Sequence, residues 1–368
     1  MKRTLSIVLV LSMILVCFAG CTSTSTSEET QGEQSTTVSE NTATATDETA
    51  SQSAASEDGS RIGLVTKGAG IAFFEAVGDG ATTAAGELGV ELDVQGPTET
   101  TAEKQIEIIT NFIARKVDGI LVSANDSEAL APILKQAMEA GIKVISYDGD
   151  VSVDARQLFV STSDPENVAS QLIDTANEIA EGSGEIAILS AAATAANQNA
   201  WIEYMKNDLE EEKNSGLTLV TTVYGDDEME KSYQEANGLL KSYPNLKVII
   251  SPTAVGILAA AKAIQDAGLE GQVYATGLAL PSEVAEYIEA GIVPKAFLWS
   301  PIDLGYISVY VMNAMLKDEI SGVEGNVVTC GTLGDKDVTL DASGNPQIII
   351  GAMSEFNADN IAEWKDVF

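Results

Sequence analysis

The sequence predicts an α/β protein of two lobes, each a parallel sheet with helices on both faces, joined by a hinge. From Arg61 onward, short apolar runs of strand length alternate with segments whose apolar residues recur every three or four positions. This series occurs a second time after residue 163. Repeated strand–helix units form parallel sheets through right-handed crossovers. Two such lobes joined by several chain crossings favour hinge motion.

The composition favours binding over catalysis. The chain has 368 residues, which is long enough for two domains, a formal net charge of −35 and no histidine. The acidic balance argues against nucleic-acid binding, which needs a basic surface. Without histidine the chain lacks the most frequent general base and metal ligand. We therefore expect no enzymatic activity, no metal and no cofactor.

Residues 1–21 predict export and a lipid anchor. Lys2 and Arg3 precede the apolar run Leu5–Val16, which is short for a bilayer span and has the layout of a secretory signal. Phe18–Cys21 resembles a bacterial lipobox, which implies cleavage before Cys21 and diacylglyceryl attachment to it at the outer face of the cell membrane. The alternative is a signal peptide without lipidation, in which this cysteine occurs by chance.

Residues 22–60 predict a disordered linker. Ser, Thr, Ala, Gln and Glu dominate this segment, which cannot bury enough apolar surface to offset the entropy of ordering it. A coil of this length reaches about 35 Å on average, which suits a tether from a membrane surface. If Cys21 is lipidated and Cys17 is removed, Cys330 alone remains in the folded region, so we expect no internal disulfide.

The first lobe begins with four predicted strands and the helices between them. The strands are Ile62–Val65, Val90–Val94, Gly119–Ser123 and Val144–Tyr147. The helices are Phe74–Leu88, one with the stripe Ile106, Ile109 and Ile113, and one with the stripe Leu130, Leu134 and Met138 that stops at Gly141. A short strand at Leu158–Val160 then leads to the second lobe.

The second lobe repeats this pattern. Its predicted strands are Ile186–Leu189, Leu217–Val220, Val248–Ile250 and Val273–Thr276. Ala296–Trp299 is expected to return the chain to the first lobe before a helix at Leu304–Leu316, and Gln347–Ile350 is a last strand. We thus predict a first lobe of residues 61–163 and 297–330, and a second lobe of residues 164–296 and 331–368.

Asp148 is the principal candidate for a ligand-binding side chain. It directly follows the buried strand Val144–Tyr147, and Gly149 and Asp150 come next. In open α/β sheets ligands bind beyond the carboxyl ends of the strands, so a carboxylate there is placed to face a ligand. The alternative is that Asp148 only caps the turn that follows, as aspartate often does.

The segment after the first strand offers a cation and two aromatic rings. Gly68-Ala69-Gly70 has two of the three glycines of a dinucleotide-binding loop, but Phe73 occupies the third position and would block the pyrophosphate. No phosphate-binding loop with the Gly-x-x-x-x-Gly-Lys-Ser/Thr pattern occurs. We interpret Lys67 as a donor to the ligand, and Phe73 and Phe74 as an apolar wall. The alternative is a surface lysine beside core aromatic residues.

Two segments of the second lobe carry further candidates. Asn197, Gln198 and Asn199 are three consecutive amides, and amides suit hydroxyl groups because each both donates and accepts. A helix start fixed by Asn197 is the alternative. Pro252 stiffens the loop after another strand and removes a donor from it, which leaves carbonyl groups for the cleft.

Several motifs together carry a resemblance to a known family. They are Gly96–Glu99 (Gly-Pro-Thr-Glu), Asn111-Phe112, Val122–Ala124, Asn199–Trp201, Leu298-Trp299 and Ile307–Val311. With them, the region from Arg61 to Phe368 resembles type I periplasmic sugar-binding proteins of the ribose-binding class. Within that class it looks most like the Lsr-type autoinducer-2-binding proteins.

The resemblance implies the type I periplasmic-binding-protein fold and a set of ligand contacts. Lys67 and Asp148 would bind the ligand from the first lobe, and Pro252 and Ala254 would contact it through the loop backbone. The family's Asp-Gln pair falls on Asn197 and Gln198, so this chain has an amide where the family has a carboxylate. The implied function is a surface-anchored receptor that delivers hydrated autoinducer-2 to the membrane permease of an ABC importer.

Three other functions are alternatives to this one. The Asn197 departure keeps rhamnose or a pentose open as the ligand of the same kind of receptor. A glycosidase using Asp148 and Asp150 is disfavoured, because residues two apart on an extended segment point to opposite sides. A transcription regulator is disfavoured, because a signal peptide and linker occupy the place of a DNA-binding headpiece.

Overall fold

The computed structural model describes residues 59–367. The predictions for residues 1–21, including Cys21, and for residues 22–58 of the linker lie outside this range. Within it the strands are β1 (Arg61–Val65), β2 (Glu91–Gln95), β3 (Gly119–Val122), β4 (Lys143–Tyr147), β5 (Leu158–Ser161), β6 (Gly184–Ser190), β7 (Leu217–Tyr224), β8 (Leu246–Ser251), β9 (Tyr274–Leu278), β10 (Lys295–Leu298), β11 (Val327–Thr329), β12 (Asp335–Asp337), β13 (Thr339–Leu340), β14 (Pro346–Ile349) and β15 (Ser354–Asn357). The α-helices are α1 (Ala72–Leu88), α2 (Ala102–Arg115), α3 (Ser127–Glu139), α4 (Pro165–Ile179), α5 (Ala196–Leu209), α6 (Met229–Ser242), α7 (Ala254–Asp266), α8 (Pro281–Glu289), α9 (Pro301–Leu316) and α10 (Ile361–Trp364).

The strands form two main sheets, one in each lobe. The first has the order β13-β14-β5-β4-β3-β1-β2 and the second the order β15-β10-β9-β8-β6-β7. Within these two sheets the strands pair in parallel except for β13 with β14 and β10 with β15, and β11 and β12 form a separate antiparallel pair. The central strands are buried on both faces, as in the runs Ile120–Val122 and Val248–Ile250, because helices cover both sides. The predicted two-lobe α/β fold is confirmed.

The predicted lobe boundaries are wrong near the C-terminus. Residues 297 and 298 lie in β10, which belongs to the second sheet, whereas β13 and β14 belong to the first sheet and not to the second lobe. β14 pairs in parallel with β5, so that Ile348 lies opposite Val160. The sequence marks residues 347–350 as a strand, but an isolated apolar run carries no signal for which of the two sheets it joins. The chain therefore crosses between the sheets after β5, after β10 and after β14.

Close packing of α1 on α9 fixes one wall of the cleft. A Cβ atom at Gly80 would lie 1.9 Å from the carbonyl oxygen of Ile302, and one at Gly305 would lie 1.9 Å from that of Val77. Glycine at both positions lets the two helix backbones approach directly. This contact places the aromatic residues at the start of α1 beside Trp299, which precedes α9.

No helix in residues 59–367 is long and apolar enough to cross a bilayer.

Candidate functional site

All eight residues predicted to bind ligand line one cavity between the lobes. Its volume is about 450 Å³, part of it open to solvent. The carboxyl ends of strands from both sheets meet at this cavity, as expected for parallel sheets. The eight residues are Lys67, Phe73, Phe74, Asp148, Asn197, Gln198, Pro252 and Ala254.

A buried polar network joins the two lobes across the cavity. The Nζ atom of Lys67 lies 3.3 Å from Oδ2 of Asp148, and these side chains are only 4% and 7% exposed. Lys67 also donates to Oδ1 of Asn197 over 3.4 Å. The Nδ2 group of Asn197 in turn donates to Oδ1 of Asp148 over 3.3 Å. The amide of Asn197 thus pairs with both charged groups of the first lobe.

Asp148 does not cap the turn that follows it. Besides Lys67 and Asn197, its carboxylate accepts from Ser123 Oγ over 2.8 Å, and all three partners are remote in sequence. Its backbone is in the left-handed region with φ = 52°. Aspartate tolerates this conformation better than most residues. The turn therefore directs the carboxylate across the strand ends and into the cavity.

A buried glutamine positions the loop that carries Lys67. Gln105, on α2, is fully buried and donates through Nε2 to the carbonyl oxygens of Thr66 (2.9 Å) and Ser123 (2.7 Å). Its Oε1 accepts from the backbone N–H of Asn125 over 2.9 Å. Asn125 then donates through Nδ2 to the carbonyl oxygen of Lys67 over 2.8 Å. This residue was not predicted from the sequence, because a glutamine on a helix gives no signal of its partners.

The three amides of the second lobe have different roles. Oε1 of Gln198 accepts from Ser190 Oγ (2.6 Å) and from the N–H of Ala191 (2.8 Å), which leaves its amide nitrogen for a ligand. Asn199 does not line the cavity, and its Nδ2 donates to the carbonyl oxygen of Ala193 over 2.8 Å. The alternative in which Asn197 caps the helix is wrong, because α5 begins after Ala195 without a side-chain cap.

Asp227 is a second carboxylate of the cavity that the sequence analysis missed. It follows β7, and its Oδ1 accepts a hydrogen bond from Thr253, which also lines the cavity. Burial raises the pKa of Asp227, and the charge of Lys67 partly offsets this. Lys67, Asp148 and Asp227 are the charged residues among those that line the cavity.

An aromatic cluster forms the apolar side of the cavity. The ring centroids of Trp201 and Trp299 are 5.6 Å apart, and those of Phe73 and Phe74 are 5.1 Å apart. Phe73 packs edge-on against Trp299 at 6.4 Å. The Nε1 group of Trp299 is buried and has no hydrogen-bond partner among the described residues. The sequence predicted this tryptophan at the end of a strand and within a motif that carries the resemblance, but not as a residue of the ligand site.

Two hydrogen bonds outside the network also connect the lobes. Thr100 Oγ1 donates to the carbonyl oxygen of Asp226 over 2.8 Å, and Thr194 Oγ1 donates to that of Asn125 over 3.0 Å. Each bond joins one lobe to the other beside the cavity. The structure therefore represents a shut arrangement of the lobes.

In the part of the chain described here, no group of three or more cysteine, aspartate or glutamate side chains is placed to hold a metal ion.

The comparison with protein families decides the class. Residues 62–320 match the family described as periplasmic binding protein domain. The chain belongs to this family. Membership implies an exported protein, and the lipid anchor at Cys21 stays a prediction.

Relatives of this family member include several sugar receptors. An ABC transporter solute-binding protein from Clostridium phytofermentans, solved with bound L-rhamnose, is 39% identical, with a TM-score of 0.83 over 84% of this chain and 99% of that one. The D-ribose/D-allose-binding protein of Pseudomonas aeruginosa is 29% identical over 59% of this chain and 70% of its own length. LsrB from Clostridium saccharobutylicum, in complex with autoinducer-2, is 22% identical with a TM-score of 0.78 over 83% of this chain and 99% of that one, which shows the shared fold.

The predicted functional class is confirmed at the level of the family. The protein is a sugar-type solute-binding protein of an ABC transporter and not an enzyme, because its relatives are transport receptors. The finer likeness to the Lsr type is one among several similarities. The choice of ligand therefore rests on the cavity.

Proposed function

We propose that this protein binds an uncharged monosaccharide between its lobes, with L-rhamnose as the first candidate, and delivers it to the membrane permease of an ABC importer. The observation that carries the proposal is the buried network of Lys67, Asp148 and Asn197, which spans both lobes beneath an aromatic wall. Sugar hydroxyls both donate and accept, so they match a site that offers both kinds of group. The aromatic rings would cover the apolar face of the sugar.

The charge of the cavity supports an uncharged ligand. One ammonium group, on Lys67, faces two carboxylates, on Asp148 and Asp227. An anionic ligand would add a negative charge to a site with an excess of acid, and like charges in a poorly solvated site repel strongly. Hydroxyl groups instead donate to the carboxylates without bringing a charge.

Closure would couple binding to transport. The ligand contacts from Asn197 and Gln198 come from the second lobe, whereas those from Lys67 and Asp148 come from the first. A ligand that touches both sets binds the shut state better than the open one and shifts the population toward it. A wrong sugar that leaves one buried polar group unpaired would lose about 1–3 kcal/mol.

L-Rhamnose ranks first because the receptor solved with it is the most similar in sequence of the three relatives described above. Titration calorimetry with L-rhamnose, D-ribose, D-arabinose and autoinducer-2 tests the proposal. We expect saturable heat with L-rhamnose and a weaker response with the pentoses. Absence of binding to every sugar would overturn the proposed function.

Autoinducer-2 is the second candidate. It is favoured by the presence of Lys67, Asp148, Gln198, Pro252 and Ala254 in one cavity, as the resemblance implies. Asn197 disfavours it, because an amide adds donors and removes the negative charge that the resemblance to autoinducer-2-binding proteins implies at this position. Binding of autoinducer-2 that is tighter than that of every sugar would establish this candidate.

We also propose that Cys21 carries the lipid and that residues 22–60 tether the receptor to the outer face of the membrane. The motivation is the lipobox-like segment Phe18–Cys21. The protein is expressed in a bacterial host and extracted with a detergent solution that separates into two phases. It should enter the detergent-rich phase, and Cys21→Ser should move it to the aqueous phase. Equal partition of the two proteins would refute the anchor.

A further inference from the structure

We propose that Asp227 is a specificity-determining residue of the cavity and accepts a hydrogen bond from one particular hydroxyl of the bound sugar. This inference rests on the proposed function and goes beyond it, because it assigns a ligand contact to a residue outside the set that the family resemblance implies. The contact would come from the turn after β7, at the second lobe.

The contacts of Asp227 leave one carboxylate oxygen available. Oδ1 accepts from Thr253, and Oδ2 makes no hydrogen bond to any residue between 59 and 367. Asp227 lines the same cavity as Lys67 and Asp148, which belong to the first lobe. Because Lys67 already pairs with Asp148 at 3.3 Å, it cannot fully neutralise a second acid. Asp227 therefore remains the acceptor with spare capacity.

The backbone of this turn is held in an unusual conformation. Asp226 and Asp227 are consecutive non-glycine residues with φ = 55° and 54°. Left-handed backbone in such residues is uncommon and persists where surrounding contacts enforce it, often at ligand sites. Here the N–H groups of Gly225 and Asp226 donate to the carbonyl oxygens of Ser190 (2.9 Å) and Ala191 (3.1 Å).

The same turn takes part in closure. The carbonyl oxygen of Asp226 accepts from Thr100 of the first lobe over 2.8 Å. Shutting the lobes therefore fixes the turn from both sides at the moment when Asp227 meets the ligand. A sugar without a hydroxyl at that point would leave Oδ2 of a desolvated carboxylate without a donor, which disfavours the shut state.

The test combines protein variants with deoxy sugars in calorimetric titrations. Asp227→Asn keeps an oxygen acceptor but removes the charge, so the affinity for L-rhamnose should fall about tenfold, the difference between a charged and a neutral hydrogen bond. Glu228→Gln is the matched control, because Glu228 is the exposed next residue and does not line the cavity. Its affinity should stay within about twofold of the wild type, since exposed charges interact weakly.

Monodeoxy derivatives of L-rhamnose then identify the contact. For one derivative the wild type should lose affinity, and Asp227→Asn should cause no further loss with that derivative, because the shared contact is already gone. Equal affinities of Asp227→Asn and Glu228→Gln for L-rhamnose, or additive losses with every deoxy derivative, would overturn the role of Asp227 and leave the proposed function intact. A wild type that binds none of L-rhamnose, D-ribose, D-arabinose and D-galactose would overturn the proposed function itself.

Discussion

Replacing Lys67 by methionine tests how much the buried ion pair with Asp148 contributes to stability and to sugar binding. Both side chains are more than nine-tenths buried and lie 3.3 Å apart. Removing one partner of a buried pair costs about 3–5 kcal/mol, because the other charge stays buried without compensation. Asp148 keeps its hydrogen bonds from Ser123 and Asn197, so we expect a loss near 3 kcal/mol. For a protein of this size that lowers the Tm by about 6–12 °C.

The double variant Lys67→Met/Asp148→Asn separates stability from binding. The two single changes should cost about 5–6 kcal/mol in sum, whereas the double variant should cost less than Lys67→Met alone, because it leaves neither charge of the pair buried without compensation. Thermal unfolding by circular dichroism measures the three variants. Sugar binding should be lost in all of them. Additive losses of stability, or binding of wild-type strength in the double variant, would refute the reasoning.

An exposed ion pair of the same lobe provides the control. Lys135 Nζ lies 2.6 Å from Oδ2 of Asp154, but these side chains are 42% and 67% exposed. Such pairs contribute about 0–1 kcal/mol because solvent screens them. Lys135→Met/Asp154→Asn should therefore change the Tm by less than about 4 °C and leave the affinity for L-rhamnose unchanged.

Three further predictions concern the residues that the sequence analysis missed. Gln105→Leu should lower the free energy of unfolding by about 2–4 kcal/mol, because it leaves buried backbone groups unpaired, and it should also weaken sugar binding. Gln136→Leu, at an exposed position, should change neither. Denaturant titrations measure the stability and calorimetry the binding. Trp299→Phe keeps a ring but removes the N–H group that has no partner among residues 59–367. The Tm of the protein without ligand should therefore not fall, while the affinity for L-rhamnose should drop about fivefold. A lower Tm with full affinity would contradict this. Burial raises the pKa of Asp227 above 3.8, so ionisation of this carboxyl lowers the stability of the folded protein as the pH rises through the raised pKa. Asp227→Asn removes this cost and should raise the Tm of the protein without ligand at pH 7.5 but not near pH 4. An equal shift of the Tm at both pH values would count against this.

The sequence predicted the part of the site that follows clear strand ends. Asp148 and Lys67 were found because the apolar runs before them stop abruptly, and parallel sheets gather such ends at one edge. Asp227 obeys the same rule but was missed. The predicted strand stopped at Val220, whereas β7 continues to Tyr224 along a half-buried edge with weak apolar patterning.

Other features depend on contacts between distant segments. Gln105 and Trp299 act through tertiary partners that periodicity does not reveal. The sheet to which β14 belongs was mispredicted, because its partner β5 lies far away in sequence and an apolar strand fits either sheet. Asn199 was grouped with Asn197 and Gln198, although residues two apart on a helix do not share a face.

The most direct measurement of the central claim is the distance between the lobes with and without sugar. Spin labels on cysteines introduced at the exposed residues Glu103 and Glu230 report from opposite lobes, while the native Cys330 is buried. Saturating L-rhamnose should shorten and narrow the distance distribution, because the ligand binds the shut state preferentially. An unchanged distribution at a concentration that saturates the calorimetric response would contradict closure of the two lobes over the sugar.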